Sequence, residues 1–276
     1  MRVKTQTLEA VRRSLYETPM DTADLPTTTR PAAAVPDRLV RAAHPVAMRG
    51  EDLYARARNF MVDGQVRPNR VYASLLLAAM RLVPRHRFVP AHMLSRAYTD
   101  EGVPLTAERG VAGRVLTEPM VIAQLIELAG VRPGERALLV GANTGYAAVL
   151  LDACRANVTA LEQDPDLLAV ARPLLAELAP RVTLVEGPLA DGWPALAPYD
   201  LIIIDGSVEA IPPAIAGQLR PAAPQFGGRL ITVIHGDAVG RAVIAELADG
   251  RIGIAQHFDC NVGLLGPLAP PPSFAF

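Results

Sequence analysis

The chain has 276 residues, half of them apolar, and a formal net charge of −1. That is enough for one large α/β domain with an appendage and a sizeable core. The near-neutral charge shows no basic face for nucleic acid, and no apolar run approaches the roughly 20 residues of a membrane span.

The two cysteines, Cys154 and Cys260, have neither Cys-x-x-Cys nor Cys/His spacing. A disulfide framework or structural zinc site is therefore not expected; buried thiols in a reducing cytoplasm are. His44, His86, His92, His235 and His257 show no metal spacing. Met1–Thr7 carries charge without the apolar stretch of a secretory leader, and Glu9, Glu17, Asp21 and Asp24 argue against a transit peptide.

Taken in chain order, residues 1–47 read as a tail. Leu8–Tyr16 suits a short helix, and the Pro-, Thr- and Ala-rich run from Asp24 to Asp37 suits a flexible linker. A start at Met48 is the competing reading. Residues 48–118 form a helical N-terminal part ending in a loop. Leu53, Ala57, Phe60 and Met61 recur at helix spacing, as do Val71, Leu75, Leu76, Ala79 and Met80, with Pro68 between the two sets. Val83–Pro90, with prolines near both ends, turns the chain out of helix. Residues 95–118, with scattered Gly, Pro and charge, read as a long ordered loop of the kind that often carries function.

From Pro119 to the end, 119–276, the alternation becomes regular. Helices are expected over Met120–Ala129, Tyr146–Cys154, Pro165–Leu178 and Pro212–Leu219, with a kink at Pro173. Strands are expected over Ala137–Val140, Val158–Leu161, Val182–Val185, Leu201–Ile204 and Arg229–Ile234. Val243–Leu247 reads as helix or strand, Gly253–Phe258 as an edge strand, and Pro267–Phe276 as a loosely packed tail. Strand–helix repetition with short links implies a doubly wound, mostly parallel sheet.

In such a sheet the ligand sits beyond the carboxyl ends of the strands. Gly141-Ala142-Asn143-Thr144-Gly145-Tyr146 follows one strand and opens a helix, so its glycines allow close backbone approach and its N–H groups face a polar ligand. The dinucleotide fingerprint Gly-x-Gly-x-x-Gly is not met, and no Walker loop occurs. Glu162 ends the next strand, about 20 residues on, where a carboxylate accepts both hydroxyls of an adenosine ribose. Asp205, after the fourth strand, is read as a compensating acid or a turn cap. Trp193 reads as a core anchor, and His86 and His92 as packing or hydrogen-bonding residues.

Several stretches resemble the protein-L-isoaspartate O-methyltransferase family: Ala79–Pro90, Ala97–Asp100, Pro104-Leu105, Gly113–Ala123, Pro198–Asp200, Gln218-Leu219 and Gly227–Leu230. Met61–Pro68 resembles a divergent branch. The resemblance spans about residues 53–265. It implies a seven-stranded, Rossmann-like methyltransferase sheet with a helical N-terminal extension, and S-adenosyl-L-methionine as cofactor. It implies isoaspartyl carboxylates of damaged polypeptides as substrate; the charge, hydropathy and His/Cys spacing above leave no nucleic-acid, membrane or metal partner expected. The family's Thr-Ile-Ser-x-Pro loop puts its serine where Thr117 stands, flanked by Leu116, Glu118 and Pro119. Threonine keeps the hydroxyl but is stiffer at χ1. Three positions depart from the family: Leu139 for an acid that helps hold the methionine end, Asn143 for a glycine, and Gly187-Pro188-Leu189 for Gly-Asp-Gly beside the adenine. Each lost charged hydrogen bond costs about 1.5–3 kcal/mol. Two alternatives follow: a binding or regulatory protein on a degenerate methyltransferase scaffold, and a methyltransferase acting on another peptide or small molecule.

Overall fold

The computed structural model describes residues 50–106, 113–222, 227–236, 238–248 and 251–269. The expected helix at Leu8–Tyr16, the tail to Asp37 and most of Pro267–Phe276 lie outside these residues. Six α-helices are described: α1 (Gly50–Met61), α2 (Ser74–Leu82), α3 (Pro119–Ala129), α4 (Tyr146–Ala153), α5 (Pro165–Leu178) and α6 (Pro213–Ala216). The strands are β1 (Val103–Pro104), β2 (Val115–Leu116), β3 (Arg136–Val140), β4 (Asn157–Glu162), β5 (Thr183–Glu186), β6 (Leu201–Val208), β7 (Arg229–Ile234), β8 (Arg241–Ala248) and β9 (Arg251–Asp259).

The last seven strands form one sheet in the order β5-β4-β3-β6-β7-β8-β9. β5 to β7 run parallel; β8 is antiparallel to both β7 and β9, and β9 forms the edge. Side chains alternate between two apolar layers, as period-two strands require. Ala137, Leu139, Leu201 and Ile203 join one layer; Leu138, Val140, Ile202 and Ile204 join the other. Chain order reverses between β3 and β6, so the loops leaving these two strands frame the crevice where ligands bind in doubly wound sheets.

Local chemistry sets the helix ends. Pro119 opens α3, and Gly130 closes it at φ +55°. Pro165 opens α5, where the Asp164 carboxylate accepts the N–H groups of Asp166 and Leu167.

Several elements differ from the sequence expectation. Residues 95–118 are not all loop: β1 and β2 pair antiparallel, bringing Val103 opposite Leu116. α5 continues through Pro173. α6 is four residues long, and the chain leaves helix at Gly217. β6 runs four residues past Ile204, so Asp205 is a buried strand residue and caps no turn. Val243–Leu247 is strand.

Candidate active site

The turn after β3 is wound tightly, with Gly141 at φ +79°, Asn143 at +54° and Gly145 at +98°. Asparagine is among the few side chains that accept this region. A Cβ on Gly141 would stand 3.2 Å from Leu265 Cδ2 and 3.5 Å from Arg114 Nη2. Four N–H groups of this turn are used within the protein, and those of Thr144 and Tyr146 have no acceptor among the described residues. Gly141 and Ala142 donate to the Leu161 carbonyl, Gly145 donates to Ala142, and Asn143 donates to Glu162 Oε2 at 2.7 Å. The parallel neighbour β4 ends beside the turn and takes three of these donors, those of Gly141, Ala142 and Asn143. The Thr144 hydroxyl donates to the Phe88 carbonyl at 2.7 Å, tying the turn to the Val83–Pro90 segment.

Glu162 is fully buried and accepts five hydrogen bonds. Three come from backbone N–H groups, of Asn143, Gln163 and Asp164. The other two come from Arg114, whose Nη1 and Nη2 each lie 2.8 Å from a separate carboxylate oxygen. This is the parallel, two-pronged geometry that makes Arg–carboxylate pairs strong. Arg114 Nη2 also donates to Asn143 Oδ1 at 2.9 Å. The Arg114 backbone is held as well: its N–H donates to the Thr106 hydroxyl, and its carbonyl accepts from Leu105.

Thr117 lies three residues further on. Its hydroxyl donates to Asp205 Oδ1 at 2.6 Å, and Asn143 Nδ2 donates more weakly to Asp205 Oδ2 at 3.4 Å. Burial pushes the Asp205 carboxyl above its ordinary value, against the opposing pull of Thr117, Asn143, Arg114 and Arg85. A cavity of only about 10 Å³ remains among Arg114, Thr117, Asn143, Asp205 and Leu265, room for at most one water. A larger cleft of about 510 Å³ opens beside it, lined by Phe88, Pro90, Leu105, Thr144, Asp164 and Leu167. Its size lies in the range of small-molecule sites.

Behind Thr117 stands Arg85, fully buried. Its Nε donates to the Ala97 carbonyl at 2.9 Å and its Nη2 to the Thr117 carbonyl at 2.8 Å, while its guanidinium lies 4.8 Å from the Tyr146 ring centre. Among the described residues, Arg85 Nη1 and the Tyr146 hydroxyl meet no hydrogen-bond partner. Burial lowers the Arg85 pKa and pushes the Tyr146 phenol up to about 12.

The structure thus brings Thr117, Asn143 and Glu162 into one network. Leu116 and Pro119 are buried beside Thr117, and burial raises the Glu118 carboxyl, with Asp100 adding to the shift. Pro188 and Leu189 are not part of this network but lie next to its end: the Gly187 N–H donates to the Glu162 carbonyl, the Leu189 N–H donates to the Gln163 side chain, and the Leu189 side chain joins the second apolar layer. His86 stacks on Tyr54 and bonds the Tyr98 hydroxyl, and Trp193 packs on the second layer, both as expected, whereas His92 is exposed. In the sequence Arg85 and Arg114 stand only as parts of larger motifs, with nothing local to mark a role for either.

Comparisons with known proteins agree over most of this architecture. The family model of protein-L-isoaspartate(D-aspartate) O-methyltransferase matches residues 58–260. A protein-L-isoaspartate O-methyltransferase of Methylorubrum extorquens is 36% identical over 71% of this chain and 82% of its own length. Another from Koribacter versatilis is 30% identical over 77% of this chain and 92% of its own. A solved protein-L-isoaspartate O-methyltransferase superposes with a TM-score of 0.64 at 23% identity, covering 76% of this chain and 67% of that one. A Plasmodium falciparum structure, described as a putative enzyme of this kind in complex with S-adenosyl-L-homocysteine, superposes with a TM-score of 0.58 at 19% identity, over 76% and 97% of the two chains. The fold agrees with both structures, and the extent of the sequence match makes this chain a member of the protein-L-isoaspartate O-methyltransferase family.

Proposed function

We propose that this protein is an S-adenosyl-L-methionine-dependent methyltransferase that esterifies the α-carboxyl of L-isoaspartyl residues in damaged polypeptides. The family match over residues 58–260 carries the reading, because it contains the whole Arg85–Arg114–Thr117–Asn143–Glu162–Asp205 network. In this reading residues 48–118 supply the helical part and the substrate loop, and residues 119–276 the methyltransferase domain. Buried, unpaired Cys154 and Cys260 support a reducing, cytoplasmic setting.

The donor set fits the cofactor in kind. Glu162 accepts two parallel N–H bonds from Arg114, the same pair of contacts that two ribose hydroxyls would make. Gly141 to Tyr146 would border the amino-acid end, Glu162 the ribose, and Pro188 and Leu189 the adenine. When bound, the cofactor supplies an electrophilic methyl group on a sulfonium sulfur.

The chain's own task is then positioning. The acceptor carboxylate is already ionised at neutral pH, so no side chain needs to take a proton. Thr117 offers a hydroxyl whose backbone is anchored by Arg85 and whose hydrogen already serves a carboxylate, that of Asp205. Leu116 and Pro119, both buried, help keep water from the reacting groups.

Transfer of labelled methyl from S-adenosyl-L-methionine to an isoaspartyl peptide, against the same peptide with normal aspartate, tests the proposal. Label confined to the isoaspartyl peptide is expected; label in neither removes the reading.

A second reading, a binding or regulatory protein on this scaffold, is favoured by the Arg114–Glu162 pair standing in the crevice together with Leu139 at the acid position. Calorimetry with S-adenosylhomocysteine separates the two. Micromolar binding excludes the second reading, whereas binding gained only after Leu139→Asp supports it.

A further inference from the structure

We propose that Arg114 is an internal occupant of the cofactor site: its guanidinium holds the Glu162 carboxylate in place of the ribose hydroxyls, and cofactor binds by displacing it. The inference rests on the cofactor reading above and adds a residue that sets affinity.

Three observations carry it. First, Glu162 is saturated. Three backbone N–H groups and two guanidinium N–H groups use its acceptor positions, so a ribose diol gains them only when Arg114 leaves. Second, the space is taken. Arg114 Nη2 lies 3.5 Å from where a Cβ of Gly141 would stand, so the guanidinium fills the close approach that the glycine opens, and about 10 Å³ is left around it. Third, the exchange requires no unfolding. The Arg114 backbone is pinned by Thr106 and Leu105, and β2 stays paired with β1, so rotation of one side chain is sufficient. A vacated carboxylate regains its donors from the diol, and a released guanidinium on this loop regains its own from water. The two states therefore have comparable numbers of hydrogen bonds, which is what an exchange at equilibrium needs.

The consequence is quantitative. Apparent affinity falls in proportion to the fraction of molecules with the site open. A site open in about one molecule in ten binds cofactor about tenfold more weakly than one that is always open.

The test measures S-adenosylhomocysteine binding to the full chain and to Arg114→Gln and Arg114→Ala by calorimetry, with thermal melting to verify folding. The expected result is a Kd at least tenfold tighter in both variants, even though each melts at a lower temperature. An unchanged or weaker Kd in folded variants, with the parent chain binding normally, overturns the role of Arg114 and leaves the cofactor reading standing. No binding by the parent or by either folded variant at millimolar ligand overturns both. A second readout needs no substitution: in ¹⁵N-arginine spectra the Arg114 side-chain resonance is expected to move to a solvent-exposed position as S-adenosylhomocysteine is added. A resonance that stays in place while ligand binds overturns the displacement.

Discussion

The Thr117 hydroxyl donates to Asp205 Oδ1 at 2.6 Å, joining two buried side chains 88 residues apart in sequence and tying the segment after β2 to the switch point of the sheet. The pair decides whether the Thr117 hydroxyl has a fixed direction. Thr117→Val keeps the shape and removes the hydroxyl. It also leaves Asp205 with one weaker side-chain donor, Asn143. We expect kcat on an isoaspartyl peptide to fall by about tenfold or more, as displaced positioning groups do, with the Kd for S-adenosylhomocysteine within about twofold of the parent. Thr117→Ser should retain most of the rate. A valine variant at full rate would remove Thr117 from the site.

Asp205 links stability to pH. Burial raises its folded pKa above the ordinary 3.8. A raised acid binds its proton more tightly folded than unfolded, so its favourable contribution is complete below the unfolded value. It is lost as pH rises through the folded value. Above that value a constant penalty remains. Asp205→Asn has no such titration. Urea unfolding from pH 4 to pH 8 should show the parent losing stability relative to Asp205→Asn as pH rises, with a slope of at most about 1.4 kcal/mol per unit. Parallel curves would mean that the carboxyl titrates alike in both states.

Gly145→Ala tests the turn itself. At φ +98° any Cβ is strained, and here it would meet Leu175 at 3.1 Å on α5. The combined cost should be about 1–3 kcal/mol, which denaturant unfolding can measure. Gly134→Ala is the control: its φ is +82°, yet nothing lies within 4 Å of the added carbon. That variant isolates the backbone term, and the difference between the two measures the contact.

The parts of the fold that carry a repeating pattern were legible in the sequence. β3, β4, β6 and β7 alternate between two apolar layers, and Gly130, Asp164 and Pro165 mark helix ends by their own chemistry. The pattern of β6 stops short because Asp205-Gly206-Ser207 ends the apolar run, although the strand continues and buries those polar groups on partners from other segments. β1 and β2, two residues each, are too short to show any period. Glu162 was legible because its spacing from the glycine turn is local. Arg114 was not, because its partner lies 48 residues away and a single arginine in a loop shows no pattern. The same holds for Arg85, whose acceptors are the carbonyls of Ala97 and Thr117. A backbone carbonyl leaves no trace in the identity of its residue.

Arg85 offers the sharpest separation of activity from stability. Its guanidinium is buried against two carbonyls and a tyrosine ring; one nitrogen meets no partner among the described residues, and burial lowers its pKa. Replacing it by methionine, of similar length, removes two charged hydrogen bonds worth about 1.5–3 kcal/mol each. The same change removes the desolvation penalty of a buried cation, several kcal/mol in the other direction. The two contributions nearly cancel, so Arg85→Met should stay within about 2 kcal/mol of the parent in urea unfolding. Activity has no such cancellation. The Thr117 carbonyl loses its anchor, and the hydroxyl on the same residue loses its fixed placement, so methyl transfer should fall by about tenfold or more. S-adenosylhomocysteine affinity, which in the proposal above depends on Glu162 and Arg114, should change by no more than about threefold. If stability and activity fall together, Arg85 serves the fold alone. A stable variant that binds S-adenosylhomocysteine and transfers methyl slowly assigns it to holding Thr117.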